Sequence, residues 1–274
     1  MGHRQARSMP AIVTSDLGRK TLVLIGTNAR LGFEAAKYFA RMNSARFVLT
    51  ARDEAREKQA LTLFQADIEY SKAEPWIIDL TSFSSIVTFT DTTKRELDRL
   101  YIYVESAGMM AWKYEQVDEW KRTLHTKNLG PGLPNIRIIR KMLGTARKHS
   151  VTPRLVVVSS DMHYWTMIPQ DVIVSLSILA SSQTHSTAHK KSSIIDTTIP
   201  NITVNSVTPG LCFSGPGSDC AAEVGCLRTR REKYTSATEE GSRQLVYATV
   251  GSLDNENLRG KYICMSKVAR REIL

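Results

Sequence analysis

No stretch of this chain reaches the eighteen or so consecutive apolar residues that a membrane-spanning helix requires. The first twenty residues are polar and hold no apolar segment of the secretory kind. Cysteine is scarce: Cys212, Cys220, Cys226 and Cys264 are the only four, none forms a C-x-x-C pair, and no spacing suits zinc. Free thiols in a reducing compartment follow, and with them the expectation of a soluble, cytoplasmic protein without a metal site. A basic block is missing too. The net charge is +10 and the pI about 9.5, yet the Lys and Arg are scattered. The densest run, Arg228-Thr229-Arg230-Arg231-Glu232-Lys233, reads as a solvated face, so nucleic acid is not an expected partner. The basic balance suits a phosphorylated small molecule instead. Internal repeats and linker-like stretches are absent. The expectation is a polar arm over 1–20 and a single domain over 21–274.

What the chain does have begins at Thr21. Thr21-Leu22-Val23-Leu24-Ile25 is a short apolar run of β-formers, the pattern of a buried strand. Gly26 to Gly32 breaks that pattern. From Phe33 onward, Phe33, Ala36, Phe39 and Ala40 share one helical face, with Glu34, Lys37 and Arg41 away from it. A strand, a glycine turn and a helix form the first unit of a nucleotide-binding α/β sheet. The free N–H groups at the helix start attract a diphosphate, and glycine lets the backbone approach it. Further strands are expected at Arg46–Thr50, Trp76–Leu80, Leu100–Val104, Arg154–Ser160, Ile202–Val207 and Gly260–Cys264. Helices are expected over Asp53–Tyr70, Ser82–Leu97, Trp120–Leu143 and Ser236–Tyr247, with Pro131 and Pro134 kinking or interrupting the third. Past the second strand stands Arg52, where an acid would favour NAD. It serves either as a partner for the 2′-phosphate of NADP or as an ordinary surface arginine.

The turn Gly26-x-x-x-Arg30-x-Gly32 resembles the T-G-x-x-x-G-x-G turn of the short-chain dehydrogenase/reductase family, with Ile25 at the Thr and Arg30 at the middle glycine. Asp79-Leu80 resembles the family's D-L pair, Glu105-Ser106-Ala107-Gly108 its N-N-A-G, Asn128 the asparagine of its catalytic tetrad, and Ser160 its catalytic serine. Pro209-Gly210-Leu211-Cys212-Phe213-Ser214 resembles the P-G-x-x-x-T loop that closes over the nicotinamide. T-K-N-L-G-P, P-G-L-C and a terminal G-K-Y are similar to fungal members found with secondary-metabolite pathways. The resemblance implies a Rossmann-like, doubly wound α/β fold: a mostly parallel seven-stranded sheet with helices on both faces. It implies an NADP cofactor held by Gly26, Asn28, Arg30, Leu31, Gly32, Arg52, Asp79, Ser106, Lys127, Pro209, Gly210, Cys212 and Ser214. The implied reaction moves a hydride between the nicotinamide and a carbonyl or alcohol of a small hydrophobic substrate.

The family's tyrosine and its lysine four residues on are not here. None of the nine tyrosines is followed at that distance by lysine. The spacing matters because it puts both side chains on one helical face, where the cation lowers a phenol that ordinarily titrates near pH 10. Between Ser160 and Asn205, Lys190 has Ser186 at the tyrosine position and Lys191 has Thr187. Tyr164, four residues past Ser160, is one candidate for the missing hydroxyl. His185 and His189 are others, as a metal pair, as acid–base groups or, more plainly, as two solvated histidines. The catalytic candidates are therefore Ser160, Asn128, Tyr164 and Lys190. Two readings stand: an NADP-dependent oxidoreductase, and a catalytically impaired binding or accessory protein on the same fold.

Overall fold

Parallel strands alternate with helices from Thr21 onward. The computed structural model describes residues 10–27, 30–68, 70–108, 114–117, 119–160, 201–210, 212–213, 236–251 and 258–268. In order, the elements are β1 (Thr21–Ile25), α1 (Arg30–Arg41), β2 (Arg46–Ala51), α2 (Glu54–Asp67), β3 (Ala73–Ile77), α3 (Phe83–Glu96) and β4 (Ile102–Glu105). A small antiparallel pair, β5 (Gln116–Val117) and β6 (Trp120–Lys121), precedes α4 (Arg122–Leu124), a π-helical turn (His125–Leu129) and α5 (Gly130–His149). Then come β7 (Arg154–Val158), β8 (Thr203–Val207), β9 (Cys212–Phe213), β10 (Ser236–Ala237), α6 (Thr238–Val250), β11 (Tyr262–Cys264) and β12 (Lys267–Val268).

The main sheet runs β12-β11-β8-β7-β4-β1-β2-β3, parallel except for the β11–β12 pair. It has eight strands where seven were expected. The added one closes a hairpin on β11 through Met265 and Ser266, both at φ +53, the left-handed backbone of a two-residue turn. Two residues of strand carry no periodic signal, so β12 was not readable.

Alternation along the strands sends side chains to two cores. Leu22 and Leu24 of β1 join Ala36, Phe39, Phe47, Phe64, Leu245 and Val246, under α1, α2 and α6. Val23 and Ile25 join Ile86, Phe89, Ile138, Met142 and Leu155, under α3 and α5. Phe47 meets Phe39, Phe64 and Tyr70 edge to face at 6.2–6.4 Å between ring centres.

Three local expectations change. The third strand lies three residues earlier than Trp76–Leu80, because β3 is an edge strand and tolerates Pro75; Ile78 and Leu80 are buried beyond it, in the core beneath α3 and α5. The polar arm is packed onto the domain where it is described. Leu17 is fully buried, its N–H donates to the Met42 carbonyl at 2.9 Å, and its own carbonyl accepts from Lys20 and Ala45. Nor do the prolines stop the third long helix. The Gly130 N–H reaches back five residues to the His125 carbonyl, and this wider turn absorbs Pro131 in the first turn of α5.

Candidate active site

Strand register lines up the carboxyl ends of the central strands. Ile25 pairs with Glu105, Glu105 with Val157, and Val158 with Val207. One residue past each end stand Gly26, Ser106, Ser159 and Thr208, with Ser160 and Pro209 immediately beyond. The chain reverses its direction of travel across the sheet between β1 and β4. That crevice is where open α/β sheets bind ligands.

The turn after β1 is built tightly. Gly26 has φ +86, and a Cβ there would lie 2.7 Å from the Ala107 Cα. A Cβ on Gly32 would overlap the Gly26 carbonyl oxygen, so only glycine lets α1 begin this close to the strand end. The Thr50 hydroxyl accepts from the Gly26 N–H at 3.0 Å and donates to the Leu24 carbonyl at 3.2 Å. Thr27 donates its hydroxyl to the Thr50 carbonyl at 2.9 Å. Sequence reasoning missed Thr27 and Thr50; the signal was a threonine just past, or at the end of, each of two adjacent strands. Arg30, at the family's middle glycine, is exposed and has φ +61, a left-handed conformation that costs an L-residue about 1–2 kcal/mol. Leu31 packs on the core beside it.

Residues around this turn fit a dinucleotide. Among the described residues, a Cβ on Gly108 would meet nothing within 4 Å. The buried Ser106 hydroxyl has no hydrogen-bond partner among the described residues and is available to a ligand. Arg52 leaves the end of β2 exposed, 3.6 Å from the Asp53 carboxylate. Asp53 divides its carboxylate: Oδ1 caps α2, accepting from the Arg56 N–H at 2.9 Å, and Oδ2 faces the Arg52 and Arg56 guanidinium groups; the cap bond first, and these cations after it, hold the carboxyl below the usual range. Asp79 gives one carboxylate oxygen to a local turn, accepting from the Thr81 N–H and hydroxyl at 2.9 and 2.7 Å.

The π-helical turn carries Lys127 and Asn128, both half-buried. It is docked on Leu80: the His125 Nδ1 lies 3.1 Å from the Leu80 carbonyl oxygen, and a Cβ on Gly130 would overlap the same oxygen. The Asn128 Nδ2 donates to the Leu124 carbonyl at 3.4 Å. Ser160 is half-buried just past β7. Glu105, at the first asparagine of the family's N-N-A-G, is fully buried in β4. Burial, aided by the Glu105 carboxylate, pushes the Tyr103 phenol well above its ordinary value, so this tyrosine stays neutral inside the sheet and takes no part at the edge.

On the far side, Gly210 has φ +76, and its N–H donates to the Thr208 hydroxyl at 3.2 Å. The Cys212 thiol donates to the Pro209 carbonyl at 3.4 Å. Burial, with the Glu240 carboxylate second, raises it to about 11, so it is a neutral packing group and not a nucleophile. Of the residues named from sequence, the structure brings Gly26, Ser106, Ser160, Pro209 and Gly210 to one edge, with Arg30, Leu31 and Gly32 on the turn beside them. Asn28, Tyr164, Lys190 and Ser214 lie outside the described residues. Among the described residues no group of three or more His, Cys, Asp or Glu is placed to hold a metal, and no helix is long and apolar enough to cross a membrane.

Comparison with known proteins agrees with this geometry. Residues 20–215 match the short chain dehydrogenase family. The short chain dehydrogenase/reductase dmxR8 of Cryptosporiopsis sp. (strain 8999) is 27% identical over 91% of this chain and 82% of its own length. The short chain dehydrogenase sol3 of Alternaria solani is 28% identical over 77% of this chain and 79% of its own. The crystal structure of a short-chain dehydrogenase/reductase from Brucella melitensis superposes with a TM-score of 0.63 at 19% identity, covering 89% of this chain and 94% of that one. Members of this family use nicotinamide cofactors, NAD or NADP. A tight glycine turn at the sheet's switch point, a serine past the central strands and a match over most of its length together place this chain in the short-chain dehydrogenase/reductase family of oxidoreductases.

Proposed function

We propose that the chain is an NADP-dependent oxidoreductase that interconverts a carbonyl and an alcohol on a small hydrophobic metabolite, within a secondary-metabolite pathway. The observation that carries this reading is the single row of Gly26, Ser106, Ser160 and Pro209-Gly210 along the carboxyl edge of the sheet. When bound, the nicotinamide supplies or accepts the hydride. The glycine turn offers its backbone to the diphosphate, and Arg52 offers a cation to the 2′-phosphate. The exposed guanidinium of Arg52 just past β2, where an acid would favour NAD, supports NADP over NAD. The Ser160 hydroxyl orients the substrate oxygen, and Asn128 lies on the helix that borders the site.

A second reading is supported by the absent Y-x-x-x-K pair: a cofactor-binding protein with weak or no turnover. General acid catalysis is worth about 10²–10⁴ in rate, so its loss separates the two readings by orders of magnitude. The test is a titration of purified protein with NADPH and with NADH, followed by nicotinamide fluorescence, and then turnover on hydrophobic ketones. NADPH is expected to bind more tightly. Saturable binding without turnover selects the second reading; no binding of either cofactor overturns both.

A further inference from the structure

Gly241 sits where no backbone need for glycine exists. It is buried in α6, and its φ is not among the positive values that Gly26, Gly210 and Gly260 adopt. In a helix, alanine is the favoured residue, so a glycine without a conformational role reports a need for space. A Cβ on Gly241 would overlap the Cys212 sulfur, lie 2.9 Å from the Leu31 Cδ2 and 3.4 Å from the Pro209 carbonyl oxygen. Those three neighbours belong to the two ends of the cradle. Leu31 stands on the dinucleotide turn, and Pro209 and Cys212 stand on the loop past β8. One helix position thus touches both.

The first turn of the helix is anchored. The Tyr38 hydroxyl of α1 donates to the Glu239 carboxylate in the first turn of α6, and Arg243 donates to the same carboxylate through two nitrogens, each at 2.8 Å. The Glu240 carboxylate holds the Ala237 N–H at 3.0 Å, and Ala237 lies in β10, which pairs with β9 of the loop. The Cys212 thiol is fixed against Pro209. An atom added at 241 therefore presses on Cys212 and Pro209 of the loop past β8 and on Leu31.

We propose that Gly241 is a positioning residue: it sets the separation between the glycine turn and the loop past β8, and so the placement of the nicotinamide end of the cofactor. This rests on the reading of the cradle as a nicotinamide dinucleotide site. The test uses the full chain and two ligands, NADPH and 2′-phospho-ADP-ribose, the latter lacking the nicotinamide. Gly241→Ala is expected to weaken NADPH binding roughly tenfold and to leave 2′-phospho-ADP-ribose binding unchanged. The double variant Gly241→Ala/Cys212→Ala, which removes the sulfur that the new methyl meets, regains most of the NADPH affinity. A role confined to stability would lower both ligands together. Unchanged NADPH binding in Gly241→Ala, equal losses for the two ligands, or no recovery in the double variant overturns the inference while leaving the functional reading intact. Should Gly241→Ala fail to fold, the double variant carries the test, and its failure to fold or bind also overturns the inference. Wild-type protein that binds neither ligand overturns the functional reading, and the inference with it.

Discussion

The Thr50 hydroxyl holds the Gly26 N–H at 3.0 Å, so the first residue of the dinucleotide turn is anchored by the neighbouring strand. The same hydroxyl donates to the Leu24 carbonyl. Thr50→Val keeps the shape and the β-propensity but removes both bonds, and the half-buried Gly26 N–H loses the hydroxyl that accepts from it. It is expected to cost about 1–3 kcal/mol in urea unfolding and to weaken NADPH binding. A midpoint unchanged from wild type would show the anchor to be dispensable.

Gly32 and Gly144 form a controlled pair, both in helices. A Cβ on Gly32 overlaps backbone, whereas one on Gly144 meets nothing within 4 Å among the described residues. Gly32→Ala should destabilise by about 1–3 kcal/mol despite its better helix propensity. Gly144→Ala should stabilise by up to about 1 kcal/mol. Denaturant midpoints of the two variants, moving in opposite directions, check the pair.

At Arg30 the left-handed backbone predicts a gain. Arg30→Gly should raise stability by about 0.5–1 kcal/mol, the relief of strain being partly offset by a freer unfolded chain. Arg30→Ala keeps the Cβ and should give no such gain. Thermal melts of both variants decide it.

Arg52→Asp is expected to weaken NADPH binding roughly tenfold or more while leaving NADH within a few-fold, since only NADP carries the 2′-phosphate. Equal effects on the two cofactors, read by fluorescence titration, would remove Arg52 from the specificity argument.

Tyr70 donates to the Ser44 carbonyl at 2.7 Å, and burial raises its phenol from 10.0 to about 12. Below pH 10 the phenol is neutral in folded and unfolded chains alike, and its contribution to stability is whole. Between about 10 and about 12 the unfolded chain ionises first, so stability falls as pH rises. Tyr70→Phe should cost about 1 kcal/mol near pH 7 and make the alkaline fall less steep. Unfolding curves at pH 7, 10 and 11 measure both effects, and an unchanged slope would count against this account.

Much of this architecture was legible because strand and helix periods differ and the landmarks occur in family order. Thr21–Ile25 was read to the residue, since a strand buried on both faces is apolar throughout. Ala73–Ile77 was not, because an edge strand with Pro75 and Glu74 looks like a loop, while the buried Ile78 and Leu80 beyond it look like a strand. The π-helical turn that carries Asn128 leaves no periodic trace, and prolines near it pointed to a break. Leu17 was hidden among polar neighbours, although one leucine suffices to pin the arm. At the site, Ser106, Ser160 and the two glycines came from motifs. Thr50 and Gly241 act by contact with residues 24 and 29 positions away, which no local pattern records.

The strand order also governs how the chain assembles as it is made. β1, β2 and β3 can pair soon after residue 77 emerges, but β1 keeps one open edge until β4 arrives at Ile102. β7 then waits for β8, which begins at Thr203. During that interval a half-built sheet, with β7 paired only to β4, presents the open edge of Leu155, Val156, Val157 and Val158, a ready template for another chain. Chains truncated before Thr203 should therefore aggregate, and cellular expression of this protein should depend on chaperones that cover a nascent β edge.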